Sequence, residues 1–327
     1  MSRSTFLTFM TITILAAPPF ASATVEDPFS FFNVFSRCSI GRSTDLYDGE
    51  IRGIAGAAGS CWFKNNSINA LGLVPSSIGC FAGGEVELIC VSHQGSIEAA
   101  GRVLLRAVNL DGGIASGVSI WGHGATIGGD AAAMGTVFLE NCTVSGAVIE
   151  GAPFTPSIDL SAVGDFYLAK SAQYGSWGGG APLIAGSRVE FSAAAGINVF
   201  DVTAADLDWA TSVAIEGPHA AWVIINVRGH AAEISTTDWQ LDPRMPIEHV
   251  LINFPEAAVL EIRQVALLGN VLAPQAATHF PEGLVVGGLW VGDLQGGGQV
   301  DWGFFIEPIV PTSHDFITWG GLKSLFE

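Results

Sequence analysis

The chain has 327 residues, of which 49% are aliphatic, aromatic or cysteine and 13% are charged. This composition supplies a sizeable apolar core, and the 41 glycines favour strands joined by tight corners over a helical bundle or a disordered chain. The formal net charge of −18 excludes nucleic acid as a partner, because affinity for nucleic acid comes mainly from Lys and Arg side chains that neutralise phosphates.

Residues 1–23 have the pattern of a signal peptide. Arg3 precedes an apolar run over residues 6–17, and Ala21-Ser22-Ala23 is a small-x-small site of the kind that signal peptidase accepts. We therefore predict a signal peptide over residues 1–23 and a mature chain that is secreted or held at the cell surface. A retained membrane anchor is the alternative, but about a dozen apolar residues are too few to span a hydrocarbon core of about 30 Å. Because no later apolar run reaches the length of a spanning helix, no transmembrane anchor is predicted in the mature chain.

Cysteines occur at positions 38, 61, 80, 90 and 142, all in the first half of the chain. Cys80 and Cys90 flank one short pair of predicted strands and are therefore candidates for a disulfide in an exported protein. Cys142 lies inside an apolar run over residues 137–148 and is predicted to be a buried free thiol. The chain has no Cys-x-x-Cys spacing and no histidine in a compact ligand pattern, so neither a metal nor a cofactor is predicted.

A ragged repeat occupies residues 83–151. Written in rungs of similar length, it reads GGEVELICVSHQGSIEAA, GRVLLRAVNLDGGIASG, VSIWGHGATIGGDAAAMG and TVFLENCTVSGAVIEG. Each rung has one strand-like run at its start and a second near its end, with glycine at the corners. This pattern predicts an all-β fold, a parallel β-solenoid in which each rung buries its apolar side against its neighbours. A β-sandwich of antiparallel hairpins is the alternative, but Asp-Gly turns occur only at residues 48–49 and 111–112 and Asn-Gly turns are absent.

One segment breaks the β pattern. Thr155 is a plausible N-cap with Pro156 at the first helical position and Asp159 in the first turn, and the following apolar residues recur on one side. We predict one α-helix over residues 156–174 that flanks the β-stack. The glycine-rich stretch over residues 175–180 then allows the chain to turn back.

The C-terminal third again consists of short aliphatic runs broken by Pro, Gly and Asn. We predict strands over residues 251–254, 259–262, 265–272 and 284–291. Phe254 is expected to be the most deeply buried residue of this region, with Pro255 forming a corner.

Two motifs in this region resemble a known family. Residues 251–257 read LINFPEA and residues 269–276 read GNVLAPQA. They resemble the I-x-F-N-F-P-E-A and G-x-x-L-A-P-x-A motifs of the choice-of-anchor A domain, an adhesive module of secreted and surface proteins. The opening FNVF at residues 32–35 and DGEIRGIAG at residues 48–56 are also similar to that family.

The resemblance covers about residues 29–305. It implies one adhesive-like domain over residues 24–306, with a flanking helix between two groups of strands, followed by a C-terminal tail over residues 307–327. It also implies an extracellular surface, a glycan or a matrix molecule as the partner.

Residues that could carry enzyme chemistry are scattered. The seven histidines stand singly and are interpreted as structural. Asp206 and Asp208, two apart on a strand-like run, are the best candidates for a paired-carboxylate site, which would make the chain a polysaccharide-active β-helix enzyme. Lys and Arg are scarce, whereas β-helix lyases need basic residues on the same face, so we predict that the chain is not an enzyme. Asp111 and Asp130 lie next to glycine pairs and are interpreted as corner residues that accept backbone hydrogen bonds rather than as calcium ligands.

Nine tryptophans suggest stacking against carbohydrate. Trp177 lies between Ser176 and Gly178 in a predicted loop and is the candidate surface-binding aromatic. Trp121, Trp222 and Trp290 lie in apolar runs and are predicted to be core residues.

The predicted function is therefore that of an exported, non-enzymatic adhesin-like or structural surface protein. The alternatives are a polysaccharide-active β-helix enzyme and a protein that binds ice or mineral through a flat face. Ice binding would favour a ladder of Thr-x-Thr runs, and the mature chain has none.

Overall fold

The computed structural model describes residues 25, 27–69, 78–235 and 237–308. The predicted signal peptide and residues 309–327 of the predicted tail lie outside this part of the chain. Within it, parallel strands from successive rungs stack into long sheets, so the predicted β-solenoid with few helices is confirmed.

The N-terminal stack, residues 34–151, forms one arm of the solenoid and follows the short helix α1 (Pro28–Phe31). Its strands are β1 (Val34–Ser36), β2 (Ala55–Ala57), β3 (Cys61–Lys64), β4 (Ser67–Ile68), β5 (Ile78–Ala82), β6 (Val86–Ile89), β7 (Ser92–His93), β8 (Ser96–Ala99), β9 (Val103–Arg106), β10 (Asn109–Leu110), β11 (Ile114–Ser116), β12 (Ile120–His123), β13 (Thr126–Ile127), β14 (Ala131–Ala133), β15 (Val137–Glu140), β16 (Thr143–Val144) and β17 (Val148–Glu150).

Five rungs of this stack contribute one strand to each of three sheets, and β1 and β17 add one strand each to the two ends of the first sheet. The first sheet contains β1, β2, β5, β8, β11, β14 and β17, the second contains β3, β6, β9, β12 and β15, and the third contains β4, β7, β10, β13 and β16. The predicted repeat is regular in register, since Val86, Val103, Ile120 and Val137 are paired in turn and are evenly spaced along the chain. The prediction of two strands per rung was incomplete, because the very short strands of the third sheet give no periodic signal.

The corner between the second and third sheets requires a left-handed backbone in every rung. Asn65, Cys90, Ala107, Gly124 and Asn141, one in each successive rung, have φ of +47°, +55°, +52°, +64° and +53°. Only one of the five is glycine, so stacking of neighbouring rungs imposes a conformation that the other residues rarely adopt on their own.

The predicted flanking helix exists, but it begins later than predicted. Helix α2 (Leu160–Ser176) is capped by Asp159, whose carboxylate accepts hydrogen bonds from the N–H groups of Ser161 and Ala162, both at 3.1 Å. Thr155 is therefore not the N-cap. The N–H of Ser157 instead donates to Glu98 of β8 at 2.6 Å, which holds residues before Asp159 against the first sheet rather than in a helix.

The C-terminal stack, residues 183–301, forms the other arm. Its elements are β18 (Leu183–Ala185), β19 (Arg188–Ser192), β20 (Gly196–Thr203), α3 (Ala204–Asp208), β21 (Ser212–Glu216), β22 (Ala221–Arg228), β23 (Ala231–Ser235), β24 (Asp238–Leu241), the 3-10 turn η1 (Ile247–His249), β25 (Val250–Asn253), β26 (Val259–Leu268), β27 (Asn270–Val286), β28 (Leu289–Gly296) and β29 (Gln299–Asp301).

Strand boundaries in this arm differ from the prediction at two glycines. Residues 265–272 are divided at Gly269, with φ of +137°, and residues 284–291 are divided near Gly287, with φ of +144°. Both values are open to glycine and unfavourable for other residues, so the chain turns where the sequence continues to look strand-like. Phe254 has no exposed surface, as predicted.

The first strand that the structure describes, β1, lies in the middle of the solenoid. Strand β1 pairs with β2 on one side and with β28 on the other. The N-terminal rungs therefore stack away from β1 in one direction, and the last strands of the C-terminal stack lie on its other side. Helix α2 connects the two arms and covers the centre of the first sheet. This closure makes the first sheet continuous from β17 to β20.

Buried asparagines join helix α2 to this sheet. The Asn253 side chain donates to Asn226 Oδ1 at 2.8 Å and to the Ser171 carbonyl at 3.0 Å, and it accepts from Ser171 Oγ at 2.6 Å. Asn226 in turn donates to the carbonyl of Tyr174 at 3.0 Å. Each amide therefore satisfies polar groups that the helix would otherwise bury without partners.

Candidate binding surface

The outward side of the second sheet in the N-terminal stack carries a row of mostly large apolar side chains, in which Trp62 and Leu104 are half-buried and Trp121 and Phe138 are exposed. Strand pairing places Trp62, Glu87, Leu104, Trp121 and Phe138 opposite one another in that order. Trp121 is 48% exposed and Phe138 is 53% exposed, and their ring centroids lie 5.3 Å apart at an interplanar angle of 42°. We call Trp62, Leu104, Trp121 and Phe138 the aromatic strip.

Strand alternation explains this exposure. In β12, Ile120 and Gly122 face the core, so Trp121 and His123 must face outward. Gly122 occupies a tight interior position, where a Cβ would lie 2.7 Å from Leu139 Cδ2. Outward residues cannot be turned inward without moving every interior residue of the strand to the surface.

A second outward row lies beside the aromatic strip and is polar. It contains Lys64, Arg106, His123 and Glu140, with Ile89 between the first two. His123 Nδ1 lies 3.2 Å from Glu140 Oε2, and Arg106 lies 3.9 Å from Glu87 Oε1. The two rows border a shallow depression of about 180 Å³ in which apolar rings and hydrogen-bonding groups face the same space.

The third sheet presents a different surface. Its outward positions, paired in sequence, are Ser67, Ser92, Asn109, Thr126 and Thr143, which we call the polar file. The structure thus forms a row of hydroxyl and amide groups without any Thr-x-Thr run along the mature chain, because each rung contributes only one residue to the row.

The tryptophan predictions were partly wrong. Trp177 is half-buried at the end of α2, where its ring packs edge-on against Tyr174 at 5.1 Å, so it supports the helix rather than standing free in a loop. Trp121, predicted to be core, is exposed, whereas Trp290 is fully buried as predicted. Trp222 is half-buried and stacks on His249 at 4.1 Å.

Trp209 was not singled out from the sequence. It follows α3 in the C-terminal stack and is 83% exposed, so most of its ring faces solvent.

Cys80 and Cys90 are not paired in this structure. Cys80 is buried in the core, whereas Cys90 is exposed at a left-handed corner, so their side chains face different environments. Sequence proximity suggested the pair, but the alternation of strand β5 and the turn after β6 direct the two thiols apart.

Asp206 and Asp208 do not lie on a strand. Both belong to α3, where Asp206 completes a capping box with Thr203 and Asp208 accepts a hydrogen bond from the Glu233 N–H at 3.0 Å. Partial burial raises the pKa of Asp208. Each carboxylate therefore has a structural partner, and the two do not face a common strand surface.

The corner aspartates act as the sequence predicted. Asp111 accepts from the N–H of Gly95 at 2.5 Å, and Asp130 accepts from the N–H of Ala147 at 2.7 Å. Among the described residues, no group of three or more His, Cys, Asp or Glu side chains could hold a metal ion.

His93 lies inside the solenoid, paired between Ile68 and Leu110. It is 1% exposed, and its Nε2 lies 3.3 Å from the carbonyl oxygen of Ser96. Burial disfavours the charged imidazolium and lowers the pKa of His93 to about 4.

Comparison with known protein families identifies the family of this chain. In the described part of the chain, no helix has the length and apolar character needed to cross a membrane. Comparisons with curated proteins and with solved structures give no match. A family model described as "Putative Ice-binding-like adhesive domain" matches residues 27–302, which include both stacks, helix α2 and the aromatic strip. The chain therefore belongs to this ice-binding-like adhesive family.

Proposed function

We propose that this chain is an exported, non-enzymatic adhesive protein that binds an extracellular glycan through the aromatic strip. The observation that carries the proposal is the exposure of Trp121 and Phe138, side by side on a regular sheet. Exposed apolar rings of this size on a folded chain are typical of binding surfaces.

The chemistry of the surface favours a sugar. The faces of the two rings offer an apolar platform for the C–H face of a pyranose, while Arg106, His123 and Glu140 lie within the same depression to bond hydroxyl groups. The formal charges of Lys64 and Arg106 balance those of Glu87 and Glu140. A neutral glycan therefore meets no net repulsion here, although the whole chain carries −18.

The narrower resemblance to the choice-of-anchor A domain supports the same function. Its motif residues Asn33 and Asn253, and Asn270 at a variable position of the second motif, hold the fold together, since each side chain bonds to buried backbone or amide groups. We propose that the chain shares this adhesive role at a cell or extracellular surface. N-terminal sequencing of the exported protein is expected to begin at Thr24, and an intact N-terminus would contradict cleavage after Ala23.

The absence of catalysis is part of the proposal. Asp206 and Asp208 are engaged in capping and backbone bonding, so replacing either by Ala is expected to leave glycan binding within a few-fold of wild type. Polysaccharide turnover by the wild-type protein that either substitution removes would show instead that the chain is an enzyme.

The strip is tested by binding to cellulose, chitin, β-1,3-glucan and hyaluronan, comparing wild type with Trp121→Ala and Phe138→Ala. At least one of these polysaccharides is expected to bind, and each substitution is expected to weaken binding about tenfold or more, a loss of about 1.4 kcal/mol. Trp209→Ala is the matched control, because it removes a more exposed tryptophan outside the strip. Loss of binding in the Trp209 variant with retention in the Trp121 variant would place the ligand on the C-terminal stack.

A second candidate function rests on the polar file. Its residues are small, polar and repeated once per strand, at the spacing of about 4.7–4.9 Å between neighbouring parallel strands. Such a row favours an ordered surface such as ice or a mineral. Thr126→Leu together with Thr143→Leu is expected to abolish inhibition of ice recrystallisation if this surface is used, whereas Trp121→Ala is expected to leave it unchanged.

A further inference from the structure

Two buried cysteines from neighbouring rungs lie together in the solenoid core. Cys61 in β3 and Cys80 in β5 have no exposed surface and belong to the same apolar cluster. The Cys61 Sγ lies 3.8 Å from the carbonyl oxygen of Phe81, the residue after Cys80, and both thiols are free in this structure. The neighbouring Cys80 thiol and burial raise the pKa of Cys61.

The contact lies where the repeat is least regular. The chain from Cys61 to its paired residue Val86 is longer than the chain from Val86 to Val103 in the next rung. The additional residues lie between β4 and β5, and the two cysteines therefore lie on either side of them. A covalent link here would join two neighbouring rungs directly.

We infer that Cys61 and Cys80 form a disulfide that joins these rungs. The remaining cysteines are separated from the pair, since Cys38 and Cys90 are exposed and Cys142 contacts the Ala125 N–H and the Glu140 carbonyl in the outermost rungs. Cys80 thus has a partner, but the partner is Cys61 rather than the sequence neighbour Cys90.

The reaction is a thiol–disulfide exchange with an external disulfide as oxidant. One cysteine thiolate attacks the oxidant and forms a mixed disulfide, and the second thiolate then displaces the oxidant's remaining sulfur as a thiol. The protein loses two protons and two electrons, and the oxidant disulfide takes them up and becomes two thiols. Because both sulfurs are buried in the finished fold, the exchange takes place before these rungs close.

The test uses the full chain, reduced and unfolded, then refolded in a buffer that contains a small-molecule disulfide and its thiol. Free thiols are alkylated under denaturing conditions, and the peptides are mapped by mass spectrometry without reduction. We expect one cross-linked peptide pair containing Cys61 and Cys80, with alkylated Cys38, Cys90 and Cys142. Full alkylation of Cys61 and Cys80, or a link between Cys80 and Cys90, would overturn the inference.

Stability gives a second readout that does not depend on export. Adding a reductant is expected to lower the thermal midpoint of the oxidised wild type by roughly 5–10 °C. The Cys61→Ala, Cys80→Ala double variant is expected to show no response to reductant, while the Cys38→Ser, Cys90→Ser control responds like wild type. Equal midpoints for oxidised and reduced wild type would show that no such link supports the fold.

Discussion

The two arms of the solenoid share continuous sheets but present different outward surfaces. In the N-terminal stack, the second sheet exposes Trp121 and Phe138 to solvent. The sheet continues through Ile40 to β28, β27 and β26, where the outward side carries ion pairs next to the exposed Val259: Arg263 lies 2.6 Å from Glu233 and 3.4 Å from Glu261.

The arms also differ in how they are held together. The N-terminal rungs have short strands that repeat at a fixed register, whereas β27 alone extends over Asn270–Val286 and pairs with β25, β26, β28 and β29. Helix α2 and the buried asparagines Asn226 and Asn253 add further bonds to the central and C-terminal region. Under the proposed function, we expect the C-terminal stack to contribute most of the stability and the N-terminal stack to bind the ligand.

The largest expected effect tests the C-terminal stack. Phe254→Ala removes a side chain with no exposed surface and should cost about 3–5 kcal/mol through lost transfer energy and a residual cavity. Denaturant unfolding and secretion yield measure it. Val259→Ala, at a 52% exposed position nearby, is the control and should change stability by about 0.5 kcal/mol or less. A Phe254 variant that melts like wild type but loses surface binding would place this strand in the binding face.

The second-largest effect on stability is expected at the asparagine contact between helix α2 and the first sheet. Asn253→Ala leaves Asn226 Oδ1 and the side chain of Ser171 without their partner, at about 1–3 kcal/mol for each orphaned group, so the free energy of unfolding should fall by about 3 kcal/mol. Urea unfolding measures this change. Asn109→Ala, at an exposed position of the polar file, is the control and should have almost no effect on the free energy of unfolding. Equal midpoints for the two variants would mean that the helix contributes little to the C-terminal arm.

Acid should weaken the N-terminal stack through His93. Its folded pKa of about 4 lies below the usual 6.5, so the unfolded chain takes up the proton first. The contribution of His93 to the free energy of unfolding is full above pH 6.5 and is lost as the pH falls toward 4, with about 2 kcal/mol lost at pH 5. Urea unfolding at pH 7 and pH 5 measures this, and His93→Leu should remove that part of the difference. A wild type with the same midpoint at both pH values would contradict it.

The smallest effect on stability is expected at the aromatic strip. Trp121→Ala and Phe138→Ala remove side chains that are about half exposed, so the unfolding free energy should fall by about 1 kcal/mol while glycan binding weakens about tenfold or more. Thermal melting and binding are measured on the same preparations. A large drop in melting temperature would mean that the two rings support the fold, and the division of roles between the arms would be wrong.

Several features of the fold were predictable from the sequence because they depend on local pattern. Glycine-punctuated aliphatic runs predict stacked strands, and the run around Phe254 predicts a buried corner of the core. The helix was also predictable, but its start was not. Glu98, far away in the sequence, binds the Ser157 N–H, and this contact moves the start to Asp159.

The candidate site was harder to predict. Trp121 and Trp290 both lie in apolar runs, yet one is exposed and the other is fully buried. Alternation along a strand assigns residues to two sides without saying which side faces the core. Trp177 was chosen for its polar and glycine neighbours, but the helix extends to Ser176 and packs the ring against Tyr174.

The sequence by itself determined the β-solenoid class, the regular rungs of the N-terminal arm and the presence of one long helix, because strand period, corner glycines and helix periodicity are local properties. Only the tertiary structure decided which tryptophans form a surface, that Cys80 meets Cys61, and that the polar file exists. Each of these depends on residues of different rungs, distant along the chain, that become neighbours when one rung stacks on the next. That stacking is set by the packing of the whole core.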